Sequence, residues 1–408
     1  MNRRIKYLLP HDFWSILILG LLLRLLVMPF TLNWDLLANT RLIATWNTLP
    51  LAEFYKQPLA AYPPLIYSIL NTVLVITGKI FGYDFWNWLH ATDLALLTHQ
   101  HTFRYLFFLK LPFVCIEVLT GILFSRLFAR PLQNRALMLW LLNPLIIFTV
   151  SIWTSVDIIP VALLIVSLYL AKHNRFILAA AALGFGGALK LFPLFVFPLL
   201  FIQVSGWRRK AQVTVAALLP FLLAHLPVLT LPAYWQHTAT GGYSDQVFFA
   251  SLPIGPDRSL IFYYFFYTLI LFYFNQFTSK NQRPLIFFSF FVFLPLFIFS
   301  RFNLQWILWI APLLILVSLQ NNVRKLPLFI LYTAFFGMVI LSQASLNIGM
   351  LAPLEPTFWL LDWPVKQKLG TEMTMRLLNG LQSIFAASLI WLIYAKLRLG
   401  GMREGSQN

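Results

Sequence analysis

Long apolar blocks recur from one end of this 408-residue chain to the other, separated by short basic turns and by three longer polar stretches. The first block, Phe13 to Leu32, has the length needed to cross a bilayer and carries Arg24 as its one charge. It is longer than the apolar core of a cleaved signal peptide and runs into Asn33, Trp34 and Asp35, so it reads as a retained signal anchor. Further blocks at 63 to 82, 105 to 125, 136 to 150, 156 to 171, 176 to 189, 191 to 205, 211 to 231, 260 to 277, 284 to 299, 304 to 320, 326 to 345 and 374 to 395 predict helices throughout. The expected fold is all-α, a polytopic membrane protein in a single domain over 1–408.

Charge assigns sides to these blocks. Basic residues favour the cytoplasmic ends of membrane helices, and they cluster at Arg3/Arg4/Lys6, Arg126/Arg130/Arg135, Lys172/Arg175, Arg208/Arg209/Lys210, Lys280/Arg283, Arg324/Lys325 and Lys396/Arg398/Arg403. Two crossings fit between most neighbouring clusters. Three blocks precede Arg126, and an odd number of crossings would place every later cluster outside, so one of the three does not span. The block 63 to 82 is chosen, because it opens with Pro63-Pro64, contains Asn71 and Lys79 and is flanked by polar runs. It becomes a membrane-associated helix in a long first outer loop, 33–104. The scheme has about 12 transmembrane helices, both termini in the cytoplasm and a disordered tail at 400–408. Asp35, Glu53, Asp84, Asp93, Asp245, Asp257, Glu355, Asp362 and Glu372 then all fall on the outer face.

Composition agrees, with 60% hydrophobic, 17% aromatic and 11% charged residues against a soluble average of about 25% charged. The net charge of +17 suits anionic lipid headgroups, and no nucleic-acid partner is invoked. The lone Cys115 excludes an intramolecular disulfide. There is no Walker motif, Cys-x-x-Cys or His-Glu-x-x-His, so nucleotide cradling and zinc chemistry lack support.

Asp35 is the first candidate for chemistry. A carboxylate at the bilayer surface can take a proton from an attacking hydroxyl, while the plain alternative is a cap on the helix that follows. Asp157, at the outer start of a crossing, has the same two readings. Lys190 and Arg301 occupy outer turns of two hairpins. They either clamp a phosphate or extend to lipid headgroups. Glu117 lies in mid-span, where it is protonated, paired with Lys110 or Arg24, or structural. The string Ala61-Tyr62-Pro63-Pro64-Leu65 fixes an extended lead into a helix. His237, Asp245, Asp257 and Arg258 belong to an outer loop rich in Gly, Tyr and Phe, a composition suited to sugar stacking or to plain solvation.

Taken in order, these segments resemble the GT-C glycosyltransferases, polytopic enzymes that take a sugar from a polyprenyl-phosphate donor. Asp35, the stretch Leu49-Pro50 with Glu53-Phe54-Tyr55, and Tyr62-Pro63-Pro64-Leu65 resemble the dolichyl-phosphate-glucose-dependent glucosyltransferases of N-glycan assembly. Trp140-Leu141-Leu142-Asn143-Pro144-Leu145, Asp157, Leu168-Tyr169-Leu170, Lys190-Leu191-Phe192-Pro193 and Leu304-Gln305-Trp306-Ile307-Leu308-Trp309 with Pro312 resemble GPI mannosyltransferase I and its prokaryotic relatives. The resemblance covers roughly 33 to 320. It implies Asp35 as general base on an acceptor hydroxyl with inversion at the donor carbon, and Lys190 and Arg301 near the donor phosphate.

Asp157, Tyr62, His237 and Asp245 complete the expected substrate-binding set, and mannose is the expected hexose. The implied partners are a polyprenyl-phosphate sugar donor, a glycan or lipid acceptor and membrane lipids. GPI mannosyltransferase I carries an Asp-x-Asp pair where this chain has Asn33-Trp34-Asp35. An amide and one carboxylate make a poor divalent site, so no cofactor is expected and metal dependence stays open. The expected location is a bacterial plasma membrane rather than the endoplasmic reticulum, with the site on the extracytoplasmic face. The competing readings are a multi-pass transporter or lipid-linked sugar flippase, and a catalytically inactive GT-C-like partner subunit.

Overall fold

The computed structural model of the protein describes residues 12–239, 247, 249–276, 283–319 and 325–404. Helix α1 (Phe13–Val27) starts at Asp12, whose carboxylate accepts the Ser15 N–H at 2.9 Å. Pro29 tightens its end into a 3₁₀ turn, Met28–Phe30. Short helices α2 (Trp34–Ala44) and α3 (Leu51–Phe54) follow, then α4 (Pro64–Phe81), α5 (Tyr83–His90) and α6 (Asp93–Thr98). Helix α7 (Thr102–Ser125) is the first long helix after them. Helix α8 (Arg130–Leu141) meets α9 (Pro144–Ile146) and a π-helical turn, Ile147–Ile152, at a bend of 43°.

Next come α10 (Ile158–Lys172), α11 (Phe176–Leu189), α12 (Phe197–Gln203), α13 (Trp207–His225) and α14 (Pro232–Tyr234). A small antiparallel hairpin, β1 (Ser251–Gly255) and β2 (Arg258–Ile261), pairs Ser251 with Ile261 and Leu252 with Leu260. The chain closes with α15 (Phe262–Gln276), α16 (Arg283–Phe291), α17 (Leu294–Phe299), α18 (Ile307–Ser318), α19 (Lys325–Leu341) and α20 (Pro364–Glu404). The last is broken at Gly370, whose φ of +77° and ψ of 163° are open to glycine alone.

The all-α polytopic fold expected from the apolar blocks is the observed one. Among the described residues, five apolar stretches are long enough to cross a membrane: Phe13–Phe30, Pro64–Phe81, Thr102–Ser125, Trp207–Val228 and Pro356–Tyr394. The bent pair Arg130–Leu141 and Pro144–Ile152 makes a sixth if taken as one span, and six shorter apolar helices accompany them. Besides block 136 to 150, interrupted at this bend, two more blocks expected as continuous crossings are broken. Block 191 to 205 splits into a 3₁₀ turn, Phe192–Val196, and α12, with Pro193 and Pro198 at the starts of the two pieces. Block 284 to 299 splits between α16 and α17, where Pro295 lies in the first turn of α17. Proline supplies no N–H and its ring clashes with the preceding turn. At the end, helix α20 reaches Glu404, taking in the first five residues of the segment expected to be a disordered tail.

The junctions after α7, α10 and α18 meet at one end of the bundle. Lys172, at the end of α10, donates to the Arg126 carbonyl after α7 at 2.8 Å, and Arg135 of α8 reaches the Ser318 carbonyl at 3.4 Å. Helices α10, α11 and α13 pack side by side. Gly184 lets α11 approach α13, since a Cβ there would overlap the Ala217 carbonyl.

A buried polar clamp ties α1, α7 and α8 together. Arg24 forms an ion pair with Glu117 and also donates to the carbonyls of Gly20 at 2.8 Å and Leu141 at 2.7 Å. The Trp140 indole donates to the same Glu117 carboxylate at 2.7 Å. Both charges are fully buried, and every strong partner they need is present, which answers the high cost of a lone charge in hydrocarbon. Of the partners considered for Glu117, Arg24 is the one it takes. Lys110, also fully buried, instead spreads its ammonium over oxygens of Thr31, Ser151 and Ile152 at 2.6–3.3 Å.

Candidate active site

The site forms at the opposite end from the basic junctions, where four separate turns converge. Asn33 caps α2: its side-chain oxygen accepts the Asp35 N–H at 2.7 Å, and its amide donates to the Ser345 carbonyl at 3.3 Å. The capping role considered for Asp35 therefore belongs to Asn33, and the Asp35 side chain is released for other work. It accepts a hydrogen bond from the Trp153 indole N–H at 3.1 Å. Burial pushes the Asp35 carboxyl above the usual range and the nearby Asp157 charge adds to this, while the Trp153 bond and the Lys190 charge pull the other way.

Asp157 settles its own ambiguity. It sits at the start of α10, but its side chain caps nothing; it is fully buried and pairs with Lys190 at 2.7 Å. The Trp309 indole donates to its other oxygen at 2.8 Å. The Lys190 ammonium also lies 5.4–5.8 Å from the ring centres of Tyr62, Trp306 and Trp309, the range of a cation–π contact. Trp309 stacks between Phe192, at 4.2 Å, and Trp306, at 4.8 Å. The segments around Asp157, Lys190 and Gln305-Trp306, far apart in sequence, thus form one packed cluster.

Two further contacts complete it. Ser155 donates to the Gln305 side chain at 3.1 Å. Tyr62 is positioned by its backbone, which accepts from the Tyr55 hydroxyl at 2.9 Å and donates to the Tyr67 hydroxyl at 3.2 Å. Tyr55 in turn packs against Tyr234 at 5.1 Å, joining segment 33–104 to the segment that follows α13. Phe54 and Tyr55 are thus buried below Tyr62, while Glu53 is exposed and pairs with Lys56.

Between Trp153 and Asp157 the backbone turns sharply. The Trp153 N–H returns to Phe148 at 2.9 Å and the Ser155 N–H to Thr149 at 2.8 Å, closing the π-helical turn. Thr154, between them, has φ +71°, a left-handed conformation that usually falls to Gly or Asn and costs a β-branched residue on the order of 1–3 kcal/mol. A narrow open cleft, with a cavity volume of about 40 Å³, lies beside it. Its polar wall includes Asp35, Asn39, Thr40, Tyr62, Thr154 and Gln305, and its apolar wall is built from α4 and α7, including Leu70, Leu74, Leu109 and Phe113. A cleft with one polar and one oily wall fits an amphiphilic ligand.

The expected set is therefore brought together only in part. Asp35, Tyr62, Asp157 and Lys190 meet. Arg301 stands in the turn before Gln305, exposed and without a hydrogen bond or ion pair among the described residues. His237 lies on the turn Trp235–Ala239, half-buried, and does not line the cleft. Asp245 falls outside the described residues. The Asn33 side-chain oxygen is occupied by capping, and no three His, Cys, Asp or Glu side chains converge among the described residues. Trp153 and Thr154 were not singled out from sequence. Their signal was a lone indole followed by two hydroxyls at the end of an apolar run, four residues before Asp157.

Glycosyltransferase family 87 is the family whose model matches this chain, over residues 89–258. GPI mannosyltransferase 1 of Saccharomyces cerevisiae is 27% identical over 161 residues, which is 38% of this chain and 40% of the yeast protein. The chain thus matches well under half the length of that relative. The family match takes in Trp153, Asp157 and Lys190 but stops short of Asp35 on one side and of Arg301 and Trp309 on the other. The chain resembles the GT-C glycosyltransferases and, among them, GPI mannosyltransferase.

Proposed function

We propose that the protein is a membrane glycosyltransferase that moves a hexose, mannose first, from a polyprenyl-phosphate donor to an acceptor hydroxyl on a glycan or lipid. The observation that carries this reading is the Asp35 carboxylate, freed from capping, held by Trp153 and facing a cleft with one polar and one apolar wall. In the proposed step the acceptor hydroxyl gives its proton to Asp35 as its oxygen attacks the anomeric carbon. The bond from that carbon to the phosphate oxygen breaks, and polyprenyl phosphate leaves with the bonding pair, inverting the centre. Lys190 is already neutralised by Asp157, so its charge offers the phosphate less than expected, and its aromatic surroundings suit a role in shaping the sugar site. Arg301, exposed in the turn before Gln305, is the residue proposed to meet the leaving phosphate.

Sidedness belongs to the same proposal: about twelve crossings in a bacterial plasma membrane, termini in the cytoplasm and the cleft outside. Two contacts support α4 as a helix that lies across the bundle end. Its start adjoins Tyr62 beside Lys190, and its end, Phe81, packs on Tyr105 in the first turn of α7.

The test is transfer from a panel of labelled polyprenyl-phosphate hexoses in membranes carrying the wild type or Asp35→Ala at matched levels. Loss of a general base is expected to lower transfer roughly 10²–10⁴-fold. Transfer indifferent to the substitution would remove Asp35 from the mechanism. Absence of transfer from every donor would favour a transporter or an inactive partner subunit.

A further inference from the structure

We infer that Thr154 is a hydroxyl-recognising residue of the cleft, its Oγ1 hydrogen-bonding a sugar-type hydroxyl of the donor hexose or of the acceptor. This rests on the reaction proposed above. Three observations converge on it. Thr154 is only 4% exposed, yet its Oγ1 has no hydrogen-bond partner among the described residues. It lines the same cleft as Asp35 and Gln305. And its backbone is held at φ +71°, where the turn asks for glycine or asparagine.

Other threonines of this chain show what is unusual here. Thr149 returns its hydroxyl to the Leu145 carbonyl at 2.8 Å, and Thr40 returns its own to Leu36 at 2.6 Å. The left-handed backbone takes Thr154 out of the helical geometry that permits such a bond. A buried hydroxyl left without a partner is unfavourable, and so is the backbone that presents it. Among the described residues nothing recovers either cost. A ligand hydroxyl in the cleft recovers the first. Ser151, Tyr263 and Ser300 also have buried hydroxyls without partners among the described residues, but none of the three lines the cleft. Because Trp153 bonds Asp35, a hydroxyl held by Thr154 lies one residue along the chain from the group that orients the base.

The experiment compares wild type with Thr154→Ser, Thr154→Val and Thr154→Gly, measuring KM for donor and acceptor separately together with thermal unfolding in detergent. Thr154→Gly relieves the backbone and removes the hydroxyl, so it is expected to unfold no lower than wild type while KM for one substrate rises roughly 3- to 10-fold, the value of one neutral hydrogen bond. Thr154→Ser keeps the hydroxyl and is expected to stay within about twofold of wild type. Deoxy analogues of donor and acceptor then identify the source: the analogue lacking the recognised hydroxyl loses affinity for wild type and none further for Thr154→Gly. Wild-type KM values for both substrates in Thr154→Gly would overturn the assignment while leaving the reaction standing. If the wild type transfers no hexose at all, the reaction reading falls and the assignment falls with it.

Discussion

The indole N–H of Trp153 reaches the Asp35 carboxylate at 3.1 Å across 118 positions of sequence. That bond favours the charged form of the carboxylate, whereas burial favours the neutral one. A base must be charged to act, so activity falls as pH drops through the Asp35 pKa, which burial has raised. Trp153→Phe removes the stabilising bond and leaves the burial. The acid limb of kcat/KM against pH is therefore expected to move to higher pH in this variant. A limb that stays in place or moves down would show that the limb does not report Asp35.

Lys190 and Asp157 form the ion pair at the centre of the aromatic cluster. Removing one partner of a buried pair strands the other charge and costs on the order of 3–5 kcal/mol. Lys190→Met and Asp157→Asn alone are each expected to lower the unfolding midpoint clearly. The double variant should recover much of that loss while remaining poor in transfer. Additive destabilisation in the double variant would mean that the two charges do not depend on each other.

The clamp in the lower half of the bundle has a different signature. Glu117→Gln leaves Arg24 buried without its counter-ion, so unfolding should come at markedly lower temperature, again by roughly 3–5 kcal/mol. KM for both substrates should be unchanged in the protein that survives, since neither residue lines the cleft. A KM change without a stability change would place Glu117 in the chemistry.

Sidedness can be read with one cysteine. Tyr83 is 80% exposed, so Tyr83→Cys in a Cys115→Ser background offers a single accessible thiol. Labelling by an impermeant reagent from the extracytoplasmic side is the expected result. Labelling only from the cytoplasm would mean that α4 crosses and would invert every later turn.

Metal dependence is the remaining expectation. With the Asn33 oxygen engaged in capping, Asp35 lacks a neighbouring ligand on its own helix turn, and transfer is expected to persist in excess chelator. Loss on chelation with recovery on adding magnesium or manganese would overturn the metal-free mechanism.

Much of this arrangement was legible in the amino-acid order. The apolar blocks announced the helices, and two of the basic clusters meet where Lys172 donates to the Arg126 carbonyl. Asp35, Asp157 and Lys190 stood out because charges at the ends of apolar runs are rare. Two things escaped. Proline positions within 191 to 205 and 284 to 299 were visible, but how a proline breaks a helix depends on its packing, and the broken pieces were expected as single spans. Trp153 and Thr154 escaped because an indole and a hydroxyl are ordinary at a membrane interface. Only the fold reveals that one meets Asp35 and that the other is held at φ +71°.

Arg24 enters the membrane long before its counter-ion is made. It precedes Glu117 by 93 positions, so while the chain is being synthesised α1 carries an unmatched guanidinium in its last turn, a burden below the roughly 2.5–3.5 kcal/mol of a charge at the centre of an inserting helix. The first helix is thus poorly suited to drift off alone into lipid, and well suited to wait beside the insertion machinery until α7 arrives. The pair that steadies the finished bundle also sets an order of assembly: α1 and α7 dock, α8 closes over them through Trp140, and the Asp35 loop between α1 and α7 is pinned at both ends before any later helix exists.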